Sequence, residues 1–333
     1  MESAFIFDII PIWFSPEVPE EQAAALFDET LVGADAIAPP SNRFLYVDGA
    51  VRIVPLVQQA AKRHCPSAVI EAAPQNQGKG AGVFAGLRAG LENPQIKWLT
   101  VRDADGDHRA NEFPPMLQLG EQIEAERPGL PVLVIGGRNR LDPPLTLYRA
   151  VYEELLNGMI QSALQFALAR RNYIQDRAYF RQYGAAPDIQ SGYKLYNRMA
   201  AEMVLQALSK EDKNQNELLR WGAEIPPYVW VVLKGGLIGE TRRSTCREQP
   251  LTAYGSIKRA EFYAQKLRWA FKTCEISLWN AARIVDNELT YHPLMFDGMG
   301  RMELLAFRKN VLEPLKKRDA DEVPAFRAGA NRL

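Results

Sequence analysis

Between Trp98 and His108 the chain reads WLTVRDADGDH, which sets three carboxylates, Asp103, Asp105 and Asp107, at alternate positions directly after an apolar run. Carboxylates this close repel one another, and a hard divalent cation such as Mg2+ or Mn2+, with its preference for oxygen ligands, relieves the repulsion. The chemistry on offer is therefore the holding of a metal ion and, through it, of phosphate oxygens. Taken in isolation, the same residues read as a solvated acidic turn or an Asp-rich helix cap.

Three further stretches carry polar chemistry: Asn76 to Gly80 (NQGKG), Val132 to Arg138 (VLVIGGR) and Asp188 to Lys194 (DIQSGYK). In NQGKG, Gly78 and Gly80 permit backbone conformations closed to other residues. N–H groups exposed at a following helix start favour a phosphate. Lys79 adds a positive charge for the same group. The spacing differs from the GxxxxGK[ST] of a P-loop. Asp48 closes the apolar run RFLYVD ahead of Gly49, where a turn residue and a ligand contact look alike.

In this order the four stretches resemble the GT-A glycosyltransferases, and among them the dolichyl- and polyprenyl-phosphate sugar synthases of the inverting family-2 type. Their pattern reads NxGKG, DADxQH, GSR and DxQxGFK, and the resemblance covers about the first two-thirds of the chain. It implies that Asp103, Asp105 and Asp107 hold Mg2+ or Mn2+, Asp107 standing where the family has Gln. It implies donor contacts from Pro11, Trp13, Asp48, Lys79, Asp103 and Gln190, the acidic residue of the first loop being displaced to Glu17. Asp48 would meet the base or ribose, in a VDGA one acid short of the family's VDDGS. The DIQSGYK loop, with Tyr193 for Phe, would close the donor-sugar pocket. Arg138 and Arg149 would hold an acceptor phosphate, whose oxygen is already anionic and needs no strong base. For a hydroxyl acceptor Asp188 is the candidate base.

These residues need a scaffold. Apolar runs alternate with helical patterns: Ala4 to Trp13, ended by Pro11, then Arg43 to Asp48, Ala68 to Ala73, Trp98 onward and Val132 to Arg138, with helices between. That alternation predicts an α/β fold, a GT-A (Rossmann-like) mainly parallel sheet flanked by helices, with a helical C-terminal extension. Ligands in such sheets sit beyond the carboxyl ends of the strands, so each candidate follows an apolar run. The expected division is a nucleotide-sugar domain over 1–255 and a helical extension over 256–333 that packs on it or on a partner subunit. Thr146 to Arg171 reads as one long helix. Asn216 to Ile225 reads as a helix entering a strand, and Gly239 to Arg247 as an acceptor loop with basic Arg242, Arg243 and Arg247. Lys258 to Val285 reads as a second long helix. Its aromatic residues suit a core or an oligomer interface, or alternatively an interfacial helix at a membrane carrying a lipid acceptor. His292 is structural or solvated, or else an extra metal ligand.

The 333 residues suffice for a full core, and 40 Lys plus Arg balance 40 Asp plus Glu, so no global field points to nucleic acid. Three scattered cysteines exclude a CxxC metal site and fit a reducing compartment. With no leader and no spanning run, the expected location is cytoplasmic, with peripheral membrane contact left open. The expected activity is metal-dependent transfer of a hexose from a GDP- or UDP-sugar to a phosphate acceptor such as polyprenyl phosphate. One alternative is a retaining GT-A enzyme acting on a small hydroxy acid such as a phosphoglycerate. Another is a nucleotide-sugar-binding protein without turnover. A nucleotidyltransferase would need a Gly-rich basic loop after the first strand, where PIWFSPEVPEE has neither Gly nor Lys.

Overall fold

The structure, a computed structural model, describes residues 3–139, 147–180, 186–210, 220, 223–244 and 258–316. Its chain forms two compact units, one of Met1–Thr146 with Asp176–Thr252, the other of Leu147–Gln175 with Ala253–Leu333. The chain passes between them three times, the last time at Thr252–Ala253. The second unit also takes in Leu147–Gln175, which the sequence reading counted with the first domain.

The first unit is built on a sheet whose strands, among the described residues, are β1 (Ile6–Ile12), β2 (Arg43–Asp48), β3 (Val69–Ala73), β4 (Trp98–Val101), β5 (Val132–Arg138), β6 (Lys194–Asn197) and β7 (Leu237–Arg243). Their order is β3-β2-β1-β4-β6-β5-β7. Every pairing is parallel except those of β6, which runs antiparallel to both β4 and β5. The mainly parallel α/β class expected from the alternation is thus present. The reversal of β6 has a positional effect: Lys194, its first residue, lies in register with Val101, the last of β4. The DIQSGY segment therefore arrives at the rim where the parallel strands end.

Helices α1 (Glu20–Leu31), α2 (Val54–His64) and α4 (Phe113–Glu126) cover one face, burying Ile10, Ile12, Leu45 and Val47 beside α1 and α2, and Trp98, Val134 and Leu195 beside α4. On the other face α3 (Lys79–Glu92) lies close to the sheet because Gly82, Gly86 and Gly90 fall on one side at helical spacing. A methyl group there would strike Tyr46, Ile9 and Phe7 respectively. Helix α6 (Arg198–Lys210) packs beside α3. This approach fixes where the first residue of α3, Lys79, stands.

Three readings change. Strand β1 continues through Pro11 to Ile12 rather than ending at Pro11. Pairing with β4 stops at Ile9, so Pro11 meets only β2, and no β4 rung is lost. Ile225 opens α7 (Ile225–Leu233), not a strand. Its buried IPPYVWVVL lacks the polar face that distinguishes helix from strand, and Pro226 and Pro227 sit in the first turn, where no intrahelical N–H is needed. Gly239 to Arg243 belongs to β7 rather than to a loop, while Arg247 and most of the Asn139 to Pro144 and Asn216 to Trp221 stretches lie outside the described residues.

Asp8, unusual within β1, is the centre of a buried ion cluster. Arg102 Nε and Nη2 donate to its two oxygens at 3.0 and 2.8 Å, and Arg43 Nε donates at 3.1 Å. Burial alone would raise its pKa, but the two guanidiniums outweigh that and lower it. Arg102 also donates to the carbonyls of Thr30 and His108, at 3.0 and 3.1 Å, and so ties the acidic turn to the sheet.

In the second unit α5 (Leu147–Ala169) packs with α8 (Arg259–Thr273), α9 (Leu278–Thr290) and α10 (Gly298–Leu312). Tyr152 stacks on Tyr263 at 5.1 Å and meets Phe307 edge-on at 5.8 Å. The long helix expected over Lys258 to Val285 is two. Glu275 takes a left-handed φ of 53°, and Ser277 caps α9 by accepting the Asn280 N–H at 3.3 Å. Phe262, Tyr263, Trp269 and Phe271 are buried, as the core reading expected, whereas Trp279 is exposed. No described helix is long and apolar enough to cross a membrane.

Candidate functional site

The glycine loop is anchored from β2. Asp48 is buried, and its carboxylate oxygens accept the N–H groups of Gln77 and Gly78, each at 2.7 Å. Two amides of the loop ahead of the α3 helix start are thus held by a carboxylate of the protein itself. Gly78 has φ 99°, and a side chain there would run into the backbone of Arg220. What the loop presents to the rim is Lys79. Its Nζ lies 2.6 Å from Asp103 Oδ1 and donates to Glu224 Oε1 at 2.9 Å. Burial works against its charge, but Asp103 and then Glu224 more than compensate, and its pKa is raised.

The acidic turn is shaped by His108. This buried imidazole stacks on Tyr193 at 5.0 Å, and its Nδ1 accepts the Asp103 N–H at 2.8 Å. Burial, with the cations Arg243, Lys79, Arg102 and Arg138 around it, holds its pKa well below the usual imidazole range. The ring is therefore neutral, with its proton on Nε2, 3.8 Å from Asp103 Oδ2. Asp105 is pushed up to about 7 by burial and then by the charges of Asp103 and Asp107. Asp107 is buried, and its Oδ2 lies 2.9 Å from Arg243 Nη1, which also donates to the Asp107 carbonyl at 3.1 Å.

These pairings bear on the metal. Among the described residues no three His, Cys, Asp or Glu side chains converge as a ready-made cage. Asp107, engaged by a guanidinium in a dry position, does not fit as a ligand. Asp103 and Asp105 fit a hard cation that completes its shell with diphosphate oxygens, since such ions commonly use one or two carboxylates plus substrate phosphates.

The GGR and DIQSGYK stretches meet through Arg138 and Asp188. Arg138 Nε and Nη2 each donate to the Asp188 carboxylate at 2.8 Å, and the Arg138 backbone N–H donates to it at 2.9 Å. The Asp188 N–H donates to Glu240 Oε1 at 2.7 Å. The residues given as acceptor-phosphate arm and candidate base are here each other's counter-charge. Lys194, buried at the start of β6, donates to the carbonyls of Ile189 (3.1 Å) and Ser191. Burial lowers its pKa to about 7, with Lys79 and Arg138 acting in the same direction against Glu224 and Asp188. Gln190 is buried on the same loop. Gly192 rests against the Lys79–Asp103 pair so closely that an added methyl group would stand 2.6 Å from Nζ and 2.7 Å from Oδ2.

Pro11 is buried against the first turns of α3, facing Gly82, while Trp13 follows β1 and is exposed. Arg149, on α5 in the second unit, pairs with Glu153 at 2.9 Å one turn along. His292 caps a short 3-10 turn over Pro293–Phe296, its Nδ1 accepting the Leu294 N–H at 3.2 Å. Burial lowers its pKa, with Glu154 opposing.

Sequence reasoning assigned nothing to Glu224, and it gave Gly192, Lys194 and Glu240 no role beyond membership of the DIQSGYK and Gly239 to Arg247 stretches. The one local signal at Glu224 is a carboxylate directly ahead of an uninterrupted apolar segment. The individual contacts of the other three are set by the three-dimensional fold.

No known protein-family model matches the chain, and no curated protein matches it in sequence. Among solved structures, S. aureus TarS 1–349 in complex with UDP is similar at 11% identity and a TM-score of 0.42, covering 97% of each chain. The CMP:2-keto-3-deoxy-manno-octonic acid synthetase complexed with CTP is similar at 13% identity and a TM-score of 0.40, over 72% of this chain and 90% of the other. A 4-diphosphocytidyl-2C-methyl-D-erythritol synthase from Anaerococcus prevotii gives 11% identity and a TM-score of 0.36, over 72% of this chain and 88% of the other. Likenesses at these identities and scores assign neither a family nor an activity.

Proposed function

We propose that the protein is a metal-dependent glycosyltransferase that takes a hexose from a GDP- or UDP-sugar and delivers it to a phosphate acceptor, with polyprenyl phosphate the candidate. One observation carries the reading. Four stretches scattered over residues 76–194 meet at a single sheet rim, with Lys79 on Asp103, Gly192 on both, and Arg138 on Asp188.

The charge balance supports a divalent cation. At the acidic turn burial raises the pKa of Asp105, and Asp103 and Asp107 stand close enough that their charges raise it further. A diphosphate is repelled by carboxylates so crowded unless positive charge arrives with it. Asp103 and Asp105 would hold the cation, which when bound would supply electrostatic stabilisation of the leaving diphosphate. Lys79, whose ammonium carries three N–H donors, keeps its two carboxylate partners and turns its third donor to a phosphate oxygen. His108 holds the Asp103 backbone, and the Ser191–Gly192 segment closes over the pair. A phosphate acceptor brings an anionic nucleophile and needs no proton taken from it, so Asp188 can stay paired with Arg138 during transfer to it.

The test is a thermal-shift panel of UDP, GDP and their sugars with and without Mn2+, followed by transfer assays offering polyprenyl phosphate or 3-phosphoglycerate. Mn2+ and one nucleotide should together stabilise the fold more than either alone, and Asp105→Ala should remove that synergy. Transfer to polyprenyl phosphate is the expected reaction. Transfer to phosphoglycerate with retention of configuration would replace the phosphate-acceptor reading, and a flat panel would remove the donor assignment.

A further inference from the structure

Glu224 stands immediately before α7 and reaches across to the first residue of α3. The contact spans 145 positions and joins two elements that share no strand pairing. It has a chemical consequence. The Lys79 ammonium lies between Asp103 and Glu224, so its charge toward a ligand is offset by two carboxylates, of which Glu224 also acts on the buried Lys194. Asp103 could hold Lys79 without help. Glu224 therefore does something a single salt bridge does not: it fixes the direction of the ammonium and lowers its effective charge toward a ligand.

We propose that Glu224 is a positioning residue of this site, one that aims Lys79 at the diphosphate of the donor while weakening its grip, so that the product nucleotide can leave. The inference rests on the diphosphate-binding reading given above. Its physical content is two separable effects. The carboxylate is a hydrogen-bond acceptor, which sets position, and a charge, which sets strength.

Two substitutions separate them. Glu224→Gln keeps an acceptor oxygen at nearly the same place and deletes the charge. UDP or GDP with Mg2+ should then bind more tightly by about fivefold, the worth of one unit charge some 4 Å away in a solvent-facing setting. Release of the nucleotide should slow in step. Glu224→Leu deletes the acceptor as well, and Lys79 loses its aim. Binding should weaken by about tenfold or more, as expected for a lost charge-assisted hydrogen bond. A purely structural role would lower stability in both variants and split the affinities in neither.

The experiment is calorimetric titration of UDP and GDP, with Mg2+, into wild type, Glu224→Gln and Glu224→Leu. A second measurement titrates inorganic pyrophosphate with Mg2+ into the same three proteins, which tests the anion contact of Lys79 without a donor base. Opposite shifts in the two variants, tighter in Glu224→Gln and weaker in Glu224→Leu, support the proposal. Equal affinities in all three proteins overturn it. If wild type binds pyrophosphate but neither nucleotide, the donor reading falls, while the pyrophosphate series still decides the role of Glu224; binding of neither probe overturns both.

Discussion

Arg138 and Asp188 face each other in a two-bonded pair at 2.8 Å per bond, 50 positions apart in sequence and almost fully buried. Leaving one charge of such a pair without the other costs about 3–5 kcal/mol. Arg138→Met and Asp188→Leu should each destabilise by that order. The double substitution should cost well under the sum, by urea denaturation of all four proteins. Additive losses would mean that the two side chains act independently, which would restore Asp188 as a candidate base.

Gly192→Ala tests the closeness of the DIQSGYK loop to the Lys79–Asp103 pair. The atoms in the way are the tips of two side chains, not backbone. The fold should yield locally, with a stability loss of about 1 kcal/mol. The ion pair should be forced apart, so nucleotide-diphosphate affinity should fall much more than stability does. A melting temperature that drops while affinity holds would contradict this account.

Asp105 gives a pH signature. Its folded pKa of about 7 lies above the roughly 3.9 of an unfolded carboxyl, so the metal-free protein loses stability as pH climbs from about 4 to about 7. Asp105→Asn removes that loss. In chelator-treated buffer it should melt above wild type at pH 8 and level with it near pH 4. Because the cation must displace a proton from Asp105, Mn2+ affinity should rise with pH up to about 7 and flatten beyond. An affinity independent of pH between 5 and 7 would remove Asp105 from the metal site.

Asp48 can be assigned by base preference. If it serves as anchor for Gln77 and Gly78, Asp48→Ala should cost about 1–3 kcal/mol of stability, the penalty of leaving buried amides unpaired. UDP and GDP should then weaken by the same factor. A changed ratio of the two affinities would return Asp48 to the recognition of the base.

The sequence showed the scaffold well where patterns are local. Strands β2 and β5 match the predicted runs residue for residue, because each is a continuous apolar stretch ended by a charge. Strand β6 escaped because four buried residues carry no period, and its reversed direction is a property of the neighbours it slots between. At Asp48 a carboxylate after a strand reads as a turn residue or a ligand contact, and the amides of Gln77 and Gly78 that it accepts, 29 and 30 positions on, leave no mark in the local sequence. The pairing of Asp107 with Arg243, 136 positions away, leaves no trace in the spacing of DADGDH. Proximity of that kind is set by sheet order rather than by sequence.

The division of the chain between its two units has a consequence for how the protein is made. Helix α5 is synthesised about ninety residues before Tyr263 and still further ahead of Phe307, which together cover Tyr152. During translation at about 5–20 residues per second, that apolar helix waits several seconds for its partners, while the segment carrying β6 and β7 is completed first. The first unit can close its sheet on residues already emerged, whereas the second must bridge the intervening chain before any of its aromatic contacts form. Chain order therefore makes the helical unit the later of the two to have all its residues available for folding.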